Sequence, residues 1–152
     1  MVKISNLSKA LAKDFPNVSF IEGDTFCWSP TDSSITYNPS DTYATSLLLH
    51  EIGHAQLAHT SYSRDVTLLS METDAWESAK KLATQYHVQL DDQHIESHLD
   101  TYREWLHTRS LCPACSATGL QVGSRQYRCL ACSHEWRVNE ARLCELRRYS
   151  LK

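Results

Sequence analysis

Glycine and proline are scarce in this 152-residue chain, at four residues each. That excludes collagen-like and linker-like compositions and argues against wholesale disorder. No apolar run approaches the roughly 20 residues of a transmembrane helix. The opening Met1-Val2-Lys3-Ile4-Ser5-Asn6 leads into an amphipathic segment and lacks the apolar core of a signal peptide. A soluble cytoplasmic protein with no membrane partner is therefore expected. Neither sign of charge dominates, with 15 Lys+Arg against 18 Asp+Glu and a net charge of −3. The hydrophobic content of 41% suffices for one compact domain with a small appendage.

The near-neutral total hides an asymmetry. Residues 1–100 hold 6 Lys/Arg and 14 Asp/Glu (−8), and residues 101–152 hold 9 and 4 (+5), which together give the −3 of the whole chain. Two modules are expected, the second one basic. Four thiolates around one Zn²⁺ would remove about two of those positive charges.

What stands out is Leu47-Leu48-Leu49-His50-Glu51-Ile52-Gly53-His54-Ala55, which contains H-E-x-x-H. At 3.6 residues per turn, His50 and His54 share a helix face, so both rings can reach one metal. Glu51 is turned about 100° away, near a metal-activated water without being a ligand. Neutral imidazoles for Zn²⁺ and a free carboxylate for the proton are what metal-assisted hydrolysis requires. The plainer reading is a pair of surface histidines on an amphipathic helix. Ser40 or Asp41 is positioned to cap this helix, which is expected to run to about His59 with Leu47, Leu48, Ile52 and Ala55 buried.

Ahead of it, residues 4–14 read as a helix ending before Pro16. Val18 and Phe20, Thr25 to Ser29, and Ser34 to Asn38 read as three strands, forming a short sheet whose edge suits an extended peptide. Behind it, a helix from about Val66 to His87 is where a third ligand should lie, because two histidines leave a zinc site incomplete. Glu72 falls on the apolar stripe of Ala75, Trp76, Ala79, Leu82 and Ala83, whereas Asp74 groups with Glu77, Ser78 and Lys81. A carboxylate on a core-facing stripe needs a partner. Glu72 is the chosen ligand; the plainer reading is an exposed Glu favoured by the helix dipole. His59, nine residues beyond His50, would face the opposite side of a continuous helix, which makes it a poor ligand for the same metal. Asp91 or Asp92 opens a further helix to about Thr108, with His94, His98 and His107 on its flanks.

Cys112-Pro113-Ala114-Cys115 and Cys129-Leu130-Ala131-Cys132 make a C-x₂-C-x₁₃-C-x₂-C pattern. Two knuckles each direct two sulfurs at one tetrahedral Zn²⁺, and a reducing compartment argues against disulfides. Four sulfurs leave no open position, so this second zinc is structural. Arg125, Arg128 and Arg137 with Tyr127 and Trp136 offer phosphate and base contacts for nucleic acid, or are simply the solvated faces of a small ribbon. Cys27 and Cys144 read as ordinary buried or unpaired thiols, and residues 139–150 as a short terminal helix.

The stretches Ile35-Thr36-Tyr37-Asn38-Pro39, His50-Glu51-Ile52-Gly53-His54-Ala55 and Glu72-Thr73-Asp74-Ala75-Trp76-Glu77-Ser78-Ala79 together resemble the ImmA/IrrE family of zinc metallopeptidases, over roughly residues 30–85. Asp74 replaces the second Glu of that family's E-x-E-A-x-x-x-A segment, and the ribbon lies outside its usual pattern. The resemblance implies a gluzincin-like fold with His50, His54 and Glu72 as ligands, Glu51 as general base and a regulatory protein as substrate. The expectation is an α+β chain: a zincin-like metallopeptidase core over 1–108, then a four-Cys zinc ribbon over 109–152. It would hold one catalytic and one structural zinc and act on a protein or peptide. Tyr37, Tyr43 and Tyr62 are candidate oxyanion stabilisers. A ribbon after H-E-x-x-H also looks like SprT-like proteases acting on DNA-associated proteins, although those use a third histidine. A non-catalytic module in which both metals are structural is the competing class.

Overall fold

The computed structural model describes residues 1–151 and is α+β, with four helices and two small sheets. It divides into two compact units, Met1–Ser61 with Met71–Ile95, and Tyr62–Ser70 with Glu96 onward. The division follows contacts and not chain order, so the third and fourth helices each contribute to both units. Among the described residues, no helix is long and apolar enough to cross a membrane.

In the first unit, α1 (Ile4–Asp14) buries Leu7 and Leu11 one turn apart. Strands β1 (Ser19–Glu22), β2 (Cys27–Ser29) and β3 (Ser34–Tyr37) form a sheet of order β1-β3-β2, parallel between β1 and β3 and antiparallel between β2 and β3. Helix α2 (Ala44–Gln56) is buried without interruption from Leu48 to His54. A helix covered on nearly all sides is a core element, not a half-exposed amphipathic one. Of the stripe expected to be buried, Leu48 and Ile52 are fully so, together with Leu49, whereas Leu47 and Ala55 are half-buried. Ser40 and Asp41 do not cap α2. Tyr43 holds the cap position with no side-chain bond, and Asp41 Oδ1 instead accepts the Tyr43 N–H at 2.7 Å in the preceding turn.

Helix α3 (Asp65–Tyr86) brings Ala75, Trp76, Ala79, Leu82 and Ala83 into the core of this unit. Helix α4 (Asp92–Ser110) is capped by Asp91, whose Oδ1 accepts the N–H groups of Gln93 at 2.9 Å and His94 at 3.3 Å.

The second unit is built on an antiparallel sheet, β4 (Gly119–Gly123), β5 (Gln126–Cys129), β6 (Glu135–Val138) and β7 (Arg148–Ser150), in that order. The terminal helix expected over 139–150 is absent, and β7 pairs with β6 in its place. Asn139 accounts for much of this. Its Oδ1 accepts the Arg147 N–H at 3.0 Å and its Nδ2 donates to the Glu145 carbonyl at 2.7 Å, closing a loop that returns the chain to the sheet edge. Tyr127, Trp136 and Val138 form the small core with Cys112 and Cys129. A Cβ at Gly119 would meet the Trp136 ring at 2.3 Å, so the indole needs a residue without a side chain above it.

Candidate metal centres

Helix α2 places His50 and His54 one turn apart, and α3 supplies Glu72 opposite them. His50 Nε2 lies 2.9 Å from Glu72 Oε2, His54 Nε2 lies 3.3 Å from Glu72 Oε1, and the two Nε2 atoms are 3.1 Å apart. Ligands about 2.05 Å from a tetrahedral zinc sit roughly 3.3 Å from one another. The three side chains therefore offer donor atoms at the spacing a single small cation needs. All three are buried, Glu72 to 6% exposure, whereas Asp74 is exposed.

The close approach of the two helices has a local cause. Gly53, inside the H-E-x-x-H segment, faces the α3 backbone, and a Cβ there would lie 2.4 Å from the Ala75 carbonyl oxygen. Ala75 is one turn beyond Glu72. The glycine thus lets α3 come near enough for the Glu72 carboxylate to reach both imidazoles. The Trp76 ring packs 4.3 Å from the His50 ring and closes the apolar side.

Burial shapes the charges here. It works to raise the Glu72 carboxyl, but hydrogen bonds from His50 and His54 outweigh it and hold that carboxyl well below the usual carboxylate range. Glu51 has no such partner. Burial pushes it up to about 7, with the Glu72 charge adding, against the opposing pull of His54 and a hydrogen bond from the Trp28 backbone N–H. Four ionisable groups buried together, His50, Glu51, His54 and Glu72, are costly unless something neutralises them.

The continuous helix that would turn His59 to the opposite side from His50 does not reach it. Helix α2 stops at Gln56, and Ala58 takes a left-handed φ of 52°. The chain then folds back, so the rotation of a continuous helix no longer applies. The His59 N–H bonds the His54 carbonyl at 3.0 Å, and its ring Nδ1 meets His54 Nδ1 at 2.8 Å. The Trp28 indole N–H fixes the turn by donating to the His59 carbonyl at 3.1 Å. His59 therefore contacts the outer nitrogen of His54 while Nε2 points to Glu72.

Of the candidate oxyanion residues, the Tyr37 hydroxyl donates to Glu22 Oε1 at 3.2 Å, Tyr43 stacks on His94 at 3.7 Å, and Tyr62 lies in the second unit. None of them is tied by these contacts to the His50–His54–Glu72 cluster.

The second centre is the four-cysteine cluster. The ligand atoms of Cys112, Cys115, Cys129 and Cys132 all lie within 4.8 Å of one another, and none is in a disulfide. Cys112 and Cys132 are 3.7 Å apart and Cys115 and Cys129 3.4 Å, near the roughly 3.8 Å expected around a tetrahedral ion with 2.3 Å bonds to sulfur. The two knuckles repeat each other. Ser116 N–H bonds the Cys112 carbonyl and Ser133 N–H the Cys129 carbonyl, at 2.9 and 3.0 Å. Both serines sit at φ 63°. Backbone N–H groups of Cys132 and Ala131 draw the Cys129 thiol down to about 7, towards the thiolate a metal binds.

The aromatic residues expected to stack bases are not available for it. Trp136 is fully buried and Tyr127 nearly so. Arg128 is engaged by Glu135 at 2.7 Å, Arg125 by Glu140 at 3.2 Å, and Arg137 lies over the Tyr149 ring. Cys27 and Cys144 are exposed free thiols. No protein-family model, curated protein or solved structure matches the chain.

Proposed function

We propose that the chain is a zinc-dependent metalloendopeptidase of gluzincin-like, ImmA/IrrE-like design, carrying a zinc ribbon as a structural second site. The supporting observation is the meeting of His50 Nε2, His54 Nε2 and Glu72 at 2.9–3.3 Å with the buried Glu51 beside them. In this reading His50, His54 and Glu72 hold the catalytic Zn²⁺, and Cys112, Cys115, Cys129 and Cys132 hold the structural one. The catalytic ion supplies Lewis-acid activation of water and of the scissile carbonyl.

The chain's own residues do the rest. Glu51 takes a proton from the attacking water and returns it to the amine nitrogen as the peptide bond breaks. His59 holds His54 in the tautomer whose Nε2 lone pair faces the ion. The substrate is a protein or peptide, with an intracellular regulatory protein as the class the resemblance favours.

The test is Glu51→Gln. That variant should keep both zinc ions and lose metal-dependent cleavage of an unstructured protein such as casein. Cleavage by Glu51→Gln at the wild-type rate would remove Glu51 from the mechanism. Salt-sensitive binding of nucleic acid with no cleavage by the wild type would favour a non-catalytic module instead.

A further inference from the structure

A cleft of about 390 Å³ opens in the second unit, lined by none of its four clustered cysteines, and Tyr62, Asp65, Trp105, Arg109, Arg125 and Arg142 are among its lining residues. Its acceptors are already committed. Asp65 is buried and receives Arg109 through Nε to Oδ2 at 2.7 Å and Nη2 to Oδ1 at 3.3 Å, and the Tyr127 hydroxyl donates to the same carboxylate. Arg109 spends its remaining edge on the Asn139 carbonyl and lays its face on the Trp105 ring, 4.6 Å away. This pair is electrically closed. At the exposed rim, Glu140 is taken by Arg125 at 3.2 Å.

One guanidinium is left without a carboxylate. The Arg142 guanidinium lies 3.9 Å over the Tyr102 ring and reaches only the Thr101 hydroxyl, at 3.5 Å. Among the described residues no carboxylate pairs with it. Trp105 is 2% exposed, and its indole N–H has no hydrogen-bond partner among the described residues. The N–H itself is sealed, but the Trp105 side chain lines the cleft, so its indole signal reports on what enters. Three arginines against two carboxylates, both carboxylates already paired, leave the cleft with one surplus positive charge.

We propose that this cleft is a binding site for a small oxyanion-bearing ligand, a phosphate or a carboxylate, held by the Arg142 guanidinium in a cleft that the Trp105 side chain also lines. Phosphate and carboxylate share the required chemistry, which is anionic oxygens that accept from a fork of N–H donors. The site stands independently of the metallopeptidase reading, because no residue of the His50–Glu72 cluster takes part.

The experiment uses the full zinc-loaded chain labelled with ¹⁵N. Its four tryptophans give four indole N–H signals, and Trp105→Phe identifies the relevant one. Inorganic phosphate and citrate are titrated separately at constant ionic strength, with sodium chloride as the control. The expected result is a saturable shift of the Trp105 signal with at least one of the two anions. The tighter anion then identifies the group the site takes. Arg142→Gln should weaken that response at least about tenfold, the loss of one charge-assisted contact. If Arg142→Gln disturbs the other three indole signals, Arg142→Lys replaces it, keeping the charge but losing the fork, and it too should weaken binding. A response no different from chloride, an unchanged affinity in the Arg142 variant, or a response to duplex DNA alone would overturn the proposal.

Discussion

Gly53→Ala tests how the helices position the cluster. In the structure the added Cβ would sit 2.4 Å from the Ala75 carbonyl oxygen, and 3.1 and 3.2 Å from the Ala75 carbonyl carbon and Cα. Those atoms are backbone, so no rotamer change relieves the overlap. Restoring an ordinary contact requires α2 and α3 to separate by roughly 0.8 Å, and overpacking of this kind costs about 1–3 kcal/mol. Helix propensity acts the other way, favouring alanine by about 1 kcal/mol. A net loss of up to about 2 kcal/mol is expected, or a fall of up to roughly 8 °C in Tm for a chain of this size.

The same separation would carry Glu72 away from His50 and His54, now 2.9 and 3.3 Å distant, past the roughly 3.3 Å spacing of ligands on a tetrahedral zinc. Zinc affinity at this centre should therefore fall at least about tenfold. Thermal unfolding without added metal, together with chelator competition for the weaker of the two zinc equivalents, measures both effects. A Gly53→Ala protein that is about 1 kcal/mol more stable, with zinc affinity unchanged, would refute the close helix approach as the device that builds the site.

Other perturbations have equally defined outcomes. His59→Ala should lower zinc affinity at the His50–His54–Glu72 centre about 10–100-fold, the usual cost of losing a group that orients a ligand, with little effect on ribbon zinc; chelator competition reads it, and an unchanged affinity removes His59 from the site. With that centre left metal-free, Glu51→Gln should match wild-type stability near pH 4.5 and exceed it progressively up to about pH 7. The sign follows from a folded carboxyl raised above its unfolded value. Its stabilising proton is fully bound below the unfolded pKa and is lost as pH rises through the folded one, a difference on the order of 3 kcal/mol. Denaturant unfolding at several pH values measures it, and parallel wild-type and variant curves would contradict the upward push of burial on the Glu51 carboxyl. Asp65→Asn leaves Arg109 buried without its counter-charge and should cost about 3–5 kcal/mol; a loss below 1 kcal/mol by the same denaturant assay would show the pair to be solvent-relaxed.

Spacing made much of both centres legible, because spacing is local. His50 and His54 share a helix face by the geometry of any α-helix, and the two C-x₂-C knuckles repeat one backbone pattern down to the left-handed serines. Glu72 could be distinguished from Asp74 because the apolar stripe of α3 is itself periodic, and one carboxylate lies buried while the other is exposed. Features set by tertiary contact were not legible. The position of His59 depends on α2 ending at Gln56, and nothing in Leu57-Ala58-His59 announces a stop as a glycine or proline would. Residues 139–150 have a helix-like composition, but the side-chain clamp of Asn139 and pairing to β6 win over propensity. Tyr127 and Trp136 looked like a stacking platform because strand alternation tells that two residues share a face, not which face the few core residues of a small ribbon will claim.

The most direct test of the central claim is the zinc content of the purified wild type beside that of His54→Ala, measured by elemental analysis on folded protein. Two zinc ions per wild-type chain falling to one in His54→Ala is the predicted result, separating a three-ligand centre on α2 and α3 from the ribbon's own ion. One zinc in both proteins would contradict it, leaving metal only among the cysteines and no hydrolytic centre at His50, His54 and Glu72.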